Sequence, residues 1–421
     1  MRYRRLADWL AWQETLHPRA IDLSLERMRL VAGRLDLLRT DAWVMTVAGT
    51  NGKGSCVAYA DAMLRAAGRD VGCYTSPHLL HYCERIRVNG RAVEEGVVMD
   101  AFDAIDQARD GISLSYFEFG TLAARHVFRQ FGVQAQVLEV GLGGRLDAVN
   151  TFDSDVALIT SIGLDHVDWL GTDREAVGRE KAGIFRPGRP AVFAGADMPA
   201  SVERHAADTA TPLAVAGRDY HWGVESDERW WYADDTGRLA GLAPPPLAGA
   251  VQVANAAGVL RALRHAPGLR PSEDLWAAAA EARVEGRMQR LPGRPVWWLD
   301  VAHNPDSAAV LAGELRRVPC TGGRRYACFA LMARKDLAEV LAPLKRHFDG
   351  WYLLTLPDPD AWPTDPVRDI LADEAVLGDG PPEALFPVIR SALAPGDELV
   401  VFGSFRTVEE ALRFRGVDRV P

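Results

Sequence analysis

The protein has 421 residues, of which 48% are hydrophobic, and a formal net charge of -9. This length predicts two or three domains, because single hydrophobic cores stop growing at about 250 to 300 residues, and it excludes a single small binding module. The acidic balance argues against a nucleic-acid-binding surface over the whole protein. No apolar run approaches the roughly 20 residues that cross a bilayer. We therefore expect a cytoplasmic protein with neither nucleic-acid nor membrane partners.

The first clear structural unit begins at Trp43. A short apolar strand, WVMTVA, leads into the loop GTNGKGS, which is followed by a helix that ends at Gly68 and by a strand around Val71 to Tyr74. Two further buried strands are predicted at 135–140 and 155–161, each bounded by Gly, Asp or Asn residues. Buried strands that alternate with helices predict a mostly parallel sheet flanked by helices.

The sequence pattern changes twice in the second half of the chain. Short aromatic runs around a DDTG turn predict a small β-rich excursion between about Asp219 and Pro246, with tryptophans that serve packing. After Gly286 a second alternating series of strands and helices begins, which is typical of a Rossmann-like α/β domain. The predicted domains are residues 1–284 and 285–421. The five cysteines contain no CxxC pair, so the sequence predicts neither a disulfide framework nor a zinc site.

The loop after the first strand carries the strongest local signal for chemistry. Glycines let the backbone wrap anionic oxygens, the following helix directs its amino end at them, and a lysine adds positive charge. The loop differs from the general GxxxxGK[ST] pattern, because Val47 replaces the first glycine and a glycine follows the lysine. An ordinary glycine-rich turn is the alternative. We assign the loop to ATP through Gly49, Thr50, Asn51, Gly52, Lys53, Gly54 and Ser55.

This variant of the loop resembles the ATP loop of the Mur ligase superfamily, and specifically its folate branch, the dihydrofolate synthase/folylpolyglutamate synthase family. Motifs along nearly the whole chain carry the same resemblance: AIDLSLERM from Ala20, CYTSPHLLHYCERIRVNG from Cys73, SYFEFGTLAA from Ser115, LEVGLGGRLDAVN from Leu138, TSIGLDHVDWLG from Thr160, GREKAGIFRPG from Gly178, LDVAHNPDSA from Leu299 and VFGSFRTV from Val401. The resemblance is closest to the bifunctional enzymes of this family. It implies a P-loop ATPase-like N-terminal domain that also holds the pterin, and a C-terminal domain that binds glutamate.

The activity that the resemblance implies is ATP-dependent amide formation between L-glutamate and either dihydropteroate or tetrahydrofolate. Transfer of the γ-phosphoryl group to the acceptor carboxylate makes an acyl phosphate, which the glutamate amine then attacks. The enzyme must shield this intermediate from water and offset the charge of two approaching anions. The resemblance also implies a monomer.

We expect two magnesium ions to offset the charge of the two approaching anions. The resemblance implies Mg²⁺ ligation by Ser76, Glu139 and His166, and a carbamate on Lys181. Glu139 ends a buried strand, where open α/β sheets bind ligands, although a hidden structural ion pair is the alternative. A lone histidine is more often structural, and an unmodified surface lysine is the alternative for Lys181.

The remaining residues that the resemblance implies serve the nucleotide, catalysis and the acceptor. Asn255 matches the asparagine that contacts adenine, although a helix cap is its alternative. Arg287 and Asp300 are assigned to ATP, and His303 joins Lys53 and Lys181 as catalytic, although an Asp and a His after a strand also cap turns. Ser404 is assigned to the glutamate side.

The pterin end is assigned to Phe117, which supplies a stacking face, and to Asp147, which supplies a hydrogen-bonding group. An ordinary core position is the alternative for Phe117.

Two other functions share parts of this pattern. A Mur-type peptidoglycan ligase uses a UDP-sugar acceptor, but the usual N-terminal UDP-binding domain has no room before Gly49. A nucleotide-dependent switch would keep the phosphate loop and need no carboxylate acceptor. The sequence has no NKxD motif for guanine, and its nearest string is ARKD from Ala333.

Overall fold

The computed structural model describes residues 1–17, 24–225, 228–320 and 322–417. The motif that begins at Ala20 therefore lies partly outside the described residues. The chain divides into two compact units. The N-terminal unit comprises residues 1–77, 83–246 and 252–283, and the C-terminal unit comprises residues 78–82, 247–251 and those from 284 onward.

The N-terminal unit is built on an eight-stranded sheet. In chain order its strands are β1 (Trp43–Ala48), β2 (Val71–Tyr74), β3 (Ile86–Val88), β4 (Arg91–Ala92), β5 (Ala135–Glu139), β6 (Val156–Ile159), β7 (Ala191–Phe193) and β8 (Leu213–Val215). Their spatial order is β4-β3-β2-β5-β1-β6-β7-β8. Only β3 and β4 run antiparallel to their neighbours, so the predicted mostly parallel sheet is confirmed.

Helices accompany this sheet, as the prediction of a sheet flanked by helices requires. They are α1 (Leu6–Leu16), α2 (Glu26–Arg34), α3 (Lys53–Ala66), α4 (Glu95–Arg109), α5 (Tyr116–Gln130), α6 (Val167–Leu170), α7 (Arg174–Ala182), α8 (Ala200–Asp208), α9 (Gln252–Leu263) and α10 (Glu273–Ala277). The start of α5 is fixed by a capping box, in which Ser115 and Glu118 each accept a hydrogen bond from the other's backbone N–H. None of the described helices is both long and apolar enough to cross a membrane.

The predicted β-rich excursion forms a separate three-stranded antiparallel sheet. Its strands are β9 (Tyr220–Val224), β10 (Trp230–Asp234) and β11 (Gly237–Leu242), in the order β11-β10-β9. Asp234 holds the turn by accepting from the backbone N–H of Thr236. Trp230 is fully buried against Trp276, with ring centroids 4.9 Å apart, so this tryptophan serves packing as predicted.

The C-terminal unit has its own six-stranded sheet. Its strands are β12 (Gln289–Leu291), β13 (Val296–Asp300), β14 (Arg325–Phe329), β15 (Gly350–Leu354), β16 (Val376–Gly380) and β17 (Glu398–Phe402), in the spatial order β12-β13-β17-β14-β15-β16. All neighbours are parallel except β12. Its helices are α11 (Pro305–Arg317), α12 (Leu337–Leu341), α13 (Thr364–Ile370), α14 (Pro382–Ala392) and α15 (Phe405–Phe414). The predicted alternating series is confirmed, with β12, β16, α13 and α15 added.

Candidate active site

The phosphate loop connects β1 to α3 and takes a shape that only glycine permits at two positions. Gly49 and Gly52 have φ angles of 152° and 91°. A Cβ on Gly49 would lie 1.8 Å from the Thr160 hydroxyl oxygen, and one on Gly52 would lie 2.8 Å from the Asn255 amide oxygen. The Lys53 ammonium donates to the carbonyls of Gly49 (3.0 Å) and Thr50 (3.3 Å). These contacts fold the loop around the amino end of α3, where helices bind anions.

Replacement of Gly52 by Ala is expected to raise the KM for ATP by roughly tenfold, because a left-handed residue with a Cβ costs about 1 to 2 kcal/mol and this Cβ also crowds Asn255. Steady-state kinetics at varied ATP checks it. Gly68→Ala is the matched control, since Gly68 has a φ of 77° and open space around it. The control should melt at a lower temperature and keep its KM. Equal KM changes in both variants would contradict the prediction.

Glu139 and Ser76 lie together beside this loop. Strand β5 pairs with β1 so that Glu139 is the partner of Val47, which places the carboxylate near the start of the loop. Glu139 is 5% exposed, and its Oε2 accepts a hydrogen bond from the backbone N–H of Ser76 at 3.3 Å. A buried carboxylate at a strand end, in contact with the backbone of a serine, is suited to hold a hard cation.

His166 occupies a constrained position in the segment after β6. It has a φ of 51°, which is left-handed and uncommon for a residue with a Cβ. The same segment is bound to the phosphate loop, because the hydroxyl of Thr160 donates to the Asn51 carbonyl at 2.6 Å and Thr50 exchanges hydrogen bonds with Gly163. Local strain supported by neighbouring contacts favours a functional role for this histidine.

Whether Ser76, Glu139 and His166 suit a metal ion depends on the chemistry of their donor atoms. Among the described residues, no group of three or more His, Cys, Asp or Glu side chains is placed so that it could hold a metal ion. Ser76, Glu139 and His166 offer one hydroxyl, one carboxylate and one imidazole. Mg²⁺ usually takes few protein ligands and completes its shell with water and phosphate oxygens, so this incomplete set fits an ion carried by a nucleotide.

Lys181 is a buried lysine in α7. It is 4% exposed, and burial together with the nearby charge of Lys53 lowers the pKa of its ammonium to about 7, against the opposing influence of Asp165 and Asp147. Lys53, Asp165 and Asp147 therefore each lie within electrostatic reach of Lys181. A lysine with this pKa is largely neutral above pH 7, and a neutral amine is nucleophilic.

The two residues predicted for the pterin meet at Gly141. Both oxygens of Asp147 accept backbone hydrogen bonds, from Gly141 (3.0 Å), Leu142 (2.8 Å) and Val149 (2.9 Å), and burial raises the pKa of this carboxyl to about 7. The ring of Phe117 covers Gly141 so closely that a Cβ there would lie 2.6 Å from it. The structure thus brings Phe117 and Asp147 together, and it shows that Asp147 also shapes the loop that precedes it.

A polar cavity of about 540 Å³ adjoins that loop. Its lining includes Arg145, Leu146 and Asn150, which flank Asp147 in sequence, and Ser24 and Arg29. The volume is in the range of small-molecule sites.

The C-terminal unit holds a second group of predicted residues. Asp300 is buried, and its oxygens accept from the backbone N–H groups of Met288 and Ala302. Burial raises the pKa of this carboxyl, and the nearby charge of Arg287 opposes that shift. His303 lies 2.7 Å through Nδ1 from the Val301 carbonyl. Asp300, Arg287 and His303 are therefore close together.

Ser404 has a structural partner in the same unit. It is the N-cap of α15, where its hydroxyl accepts from the backbone N–H of Thr407 at 3.0 Å and lies 2.6 Å from the Thr407 hydroxyl. Its role toward glutamate stays a prediction.

Sequence reasoning missed two residues of the N-terminal site. Asp165 precedes His166, accepts a hydrogen bond from the backbone of that histidine at 2.7 Å, and its charge acts on Lys181. Gln252 lies at the start of α9 and contacts Ser55 of the phosphate loop at 3.2 Å. An acid beside the histidine of a motif was a signal for Asp165. No signal in the sequence pointed to Gln252.

Comparison with known proteins extends these observations. Residues 286–405 match the family of the Mur ligase, glutamate ligase domain. A dihydrofolate synthase/folylpolyglutamate synthase of Escherichia coli (strain K12) is 43% identical over 97% of this chain and 94% of that protein. The fold is similar to Escherichia coli FolC in complex with DHPP and ADP, with a TM-score of 0.92, 40% identity and 99% of each chain covered. It is also similar to a bifunctional folylpolyglutamate synthase/dihydrofolate synthase with Mn, AMPPNP and L-glutamate bound, with a TM-score of 0.90, 40% identity and 98% of each chain covered.

A phosphate loop on a mostly parallel sheet, joined in one chain to a Mur ligase-type α/β unit, defines an ATP-dependent ligase. The predicted fold class and the predicted resemblance are both confirmed. The chain belongs to the dihydrofolate synthase/folylpolyglutamate synthase family. Structures in this family hold a nucleotide and a divalent metal.

Proposed function

We propose that the protein uses ATP to join L-glutamate to dihydropteroate, forming dihydrofolate, and to tetrahydrofolate, forming polyglutamates. The observation that carries this proposal is the pairing of β1 with β5, which sets Glu139 beside the phosphate loop. An acidic metal ligand next to a triphosphate site is what phosphoryl transfer to a carboxylate requires, because two anions must approach each other. Membership of the family supports the choice of acceptor and amine.

The residues of the chain have separate tasks in this reaction. The amides of the phosphate loop and Lys53 bind the β- and γ-phosphates and hold them in line with the acceptor carboxylate. Once the acyl phosphate forms, the glutamate amine attacks it, the C–N bond forms and phosphate leaves, so the amine releases a proton. Arg287 and Asp300 are assigned to ATP, His303 to catalysis and Ser404 to glutamate from the resemblance alone.

The metal of the proposal is Mg²⁺, bound as two ions by Ser76, Glu139 and His166. When bound, Mg²⁺ neutralises charge on the phosphate oxygens and polarises the γ-phosphorus. Asp165 lies beside His166 and is suited to orient its ring, as carboxylates near ligand histidines do.

We further propose that Lys181 carries a carbamate. Its burial and its lowered pKa, about 7, favour the neutral amine that reacts with CO₂. A buried ammonium beside Lys53 and two Mg²⁺ ions would be repelled, whereas a carbamate brings a negative charge and two oxygens to the same place.

Replacement of Phe117 by Ala is expected to raise the KM for dihydropteroate roughly two- to tenfold, because stacking on an aromatic face is worth about 0.5 to 1.5 kcal/mol. The KM for ATP should stay within about twofold. Initial rates at varied acceptor and at varied ATP check both values. Phe131→Ala is the control, since Phe131 is 49% exposed at the end of α5. A similar rise in both KM values for Phe117→Ala would indicate a general packing defect instead.

The proposed function is tested by ADP release from the purified protein with Mg²⁺, ATP and L-glutamate. Dihydropteroate, tetrahydrofolate and no acceptor are compared in parallel. Turnover with both acceptors supports the bifunctional ligase, and turnover with dihydropteroate alone restricts the activity to dihydrofolate synthesis. Release without any acceptor would favour a nucleotide-dependent switch. The cytoplasmic location and the monomeric state stay predictions from the sequence.

A further inference from the structure

A buried chain of hydrogen bonds connects the phosphate loop to Asn255, and Gln252 is at its centre. The amide nitrogen of Gln252 donates to the Ser55 hydroxyl oxygen at 3.2 Å. Its amide oxygen accepts from the Asn255 side-chain nitrogen at 3.2 Å and from the Tyr59 hydroxyl at 3.3 Å. All four residues are at most 5% exposed. Polar groups this deeply buried keep their partners, because an unpaired one is costly.

These contacts determine which way the Asn255 amide faces. Its nitrogen must point toward the Gln252 oxygen, because the nitrogen is the donor of that side chain. The amide also lies flat against Gly52, whose missing Cβ leaves it room. With Gln252 in this orientation, rotation of the Asn255 amide by 180° would set two oxygens against each other at the Gln252 contact. The direction of the Asn255 oxygen is therefore set by the orientation of Gln252.

A fixed amide distinguishes adenine from guanine. Adenine offers an amino donor beside a ring-nitrogen acceptor, and an asparagine amide pairs with both at once. Guanine carries a carbonyl oxygen in place of the amino group, so the same amide would set two acceptors against each other. We propose that Gln252 is a specificity-determining residue that selects adenine nucleotides by orienting the Asn255 amide. This inference rests on the proposed use of ATP and on the assignment of Asn255 to the adenine base, which the family resemblance implies.

The other end of Gln252 acts on the phosphate loop. Because the Gln252 nitrogen donates to Ser55, that hydroxyl keeps its own proton for another acceptor, such as a phosphate oxygen. Gln252 thus orients both Asn255, which is assigned to the base, and Ser55, which is assigned to the phosphates. The two effects can be separated by variants that keep or lose the accepting oxygen.

The experiment compares Gln252→Met and Gln252→Glu by the ratio of kcat/KM for ATP to kcat/KM for GTP. Methionine has a similar size but no accepting oxygen, so the ratio should fall roughly 10- to 100-fold. Glutamate keeps an acceptor for Asn255 but loses the donor to Ser55. Its ratio should remain near that of the wild type while the KM for ATP rises. Gln107→Met, at an exposed glutamine of α4, is the matched control.

If Gln252→Met kept the wild-type ratio of kcat/KM for ATP to kcat/KM for GTP, the proposal would be overturned. An equal fall of this ratio in both variants would also overturn it. If Gln252→Met does not fold, the Glu variant still decides, because a collapsed ratio there contradicts the orienting role. Calorimetric affinities for ADP and GDP give a second readout that needs no turnover. Wild-type protein that binds ADP over GDP without ligating glutamate would refute the proposed function and leave this inference standing.

Discussion

Replacement of Lys181 by Ala is expected to lower kcat by about 10²-fold while the protein stays folded. The lysine is buried beside Lys53, Asp147 and Asp165, so any anionic group on it would act directly on the phosphates and metal ions. Loss of one preorganised electrostatic group in an active site typically costs a factor of about 10² to 10³. Turnover of dihydropteroate under saturating substrates measures the effect. Lys345→Ala, which removes a lysine of the C-terminal unit, is the control.

The pH dependence of this lysine has a defined sign. Its pKa of about 7 means that the reactive neutral amine becomes more abundant as the pH rises through 7. At equal dissolved CO₂, activation of CO₂-depleted enzyme should therefore be faster at pH 8 than at pH 6. A carbamate signal in the ¹³C spectrum after exposure to ¹³CO₂ would identify the modification, and Lys181→Arg should lack it because arginine stays protonated.

Two results would contradict the carbamate. One is full activity of Lys181→Ala, and the other is activity that does not change when CO₂ is removed and restored. If activity is lost in Lys181→Ala but CO₂ has no effect, the lysine acts without the modification. Restoration of Lys181→Ala by a small carboxylate such as formate would support a missing anion at this position.

Much of the fold could be predicted because the strands of the sheet centres are short apolar runs with clear ends. Strands β1 and β5 are buried along their whole length, and Gly or Asp residues bound them. Strand β16 was not predicted, because VLGDG has two glycines and an aspartate and lies half-exposed at a sheet edge. Edge strands lack the alternation or the apolar run that identifies a strand in a sequence.

The candidate site was predictable where a motif is contiguous. Lys53, Glu139 and Lys181 each stand in a recognisable string, and their separate elements meet in the N-terminal unit. The contact between Gln252 and Ser55 joins residues 197 positions apart, so the sequence around either residue does not predict it. Pairings of this kind depend on how α3 and α9 pack, which hydrophobic spacing alone does not specify.

Replacement of Glu139 by Gln is expected to lower kcat/KM by about 10²- to 10³-fold and to raise the Mg²⁺ concentration needed for half-maximal rate. Glutamine keeps the size of the side chain and an oxygen that accepts from the Ser76 backbone. It loses the negative charge that attracts the cation, and loss of metal stabilisation in the transition state costs several kcal/mol, at about 1.4 kcal/mol per tenfold in rate.

The measurement is ADP release as a function of free Mg²⁺ at saturating ATP, dihydropteroate and glutamate, repeated with Mn²⁺. Glu314→Gln is the control, because Glu314 is also buried but lies in α11 of the C-terminal unit. If Glu139 served only as a buried structural partner, Glu139→Gln would lower the melting temperature and leave the Mg²⁺ curve where it is. A shifted curve with an unchanged melting temperature separates a metal ligand from that role, because the charge is needed for the ion and the hydrogen bond for the fold.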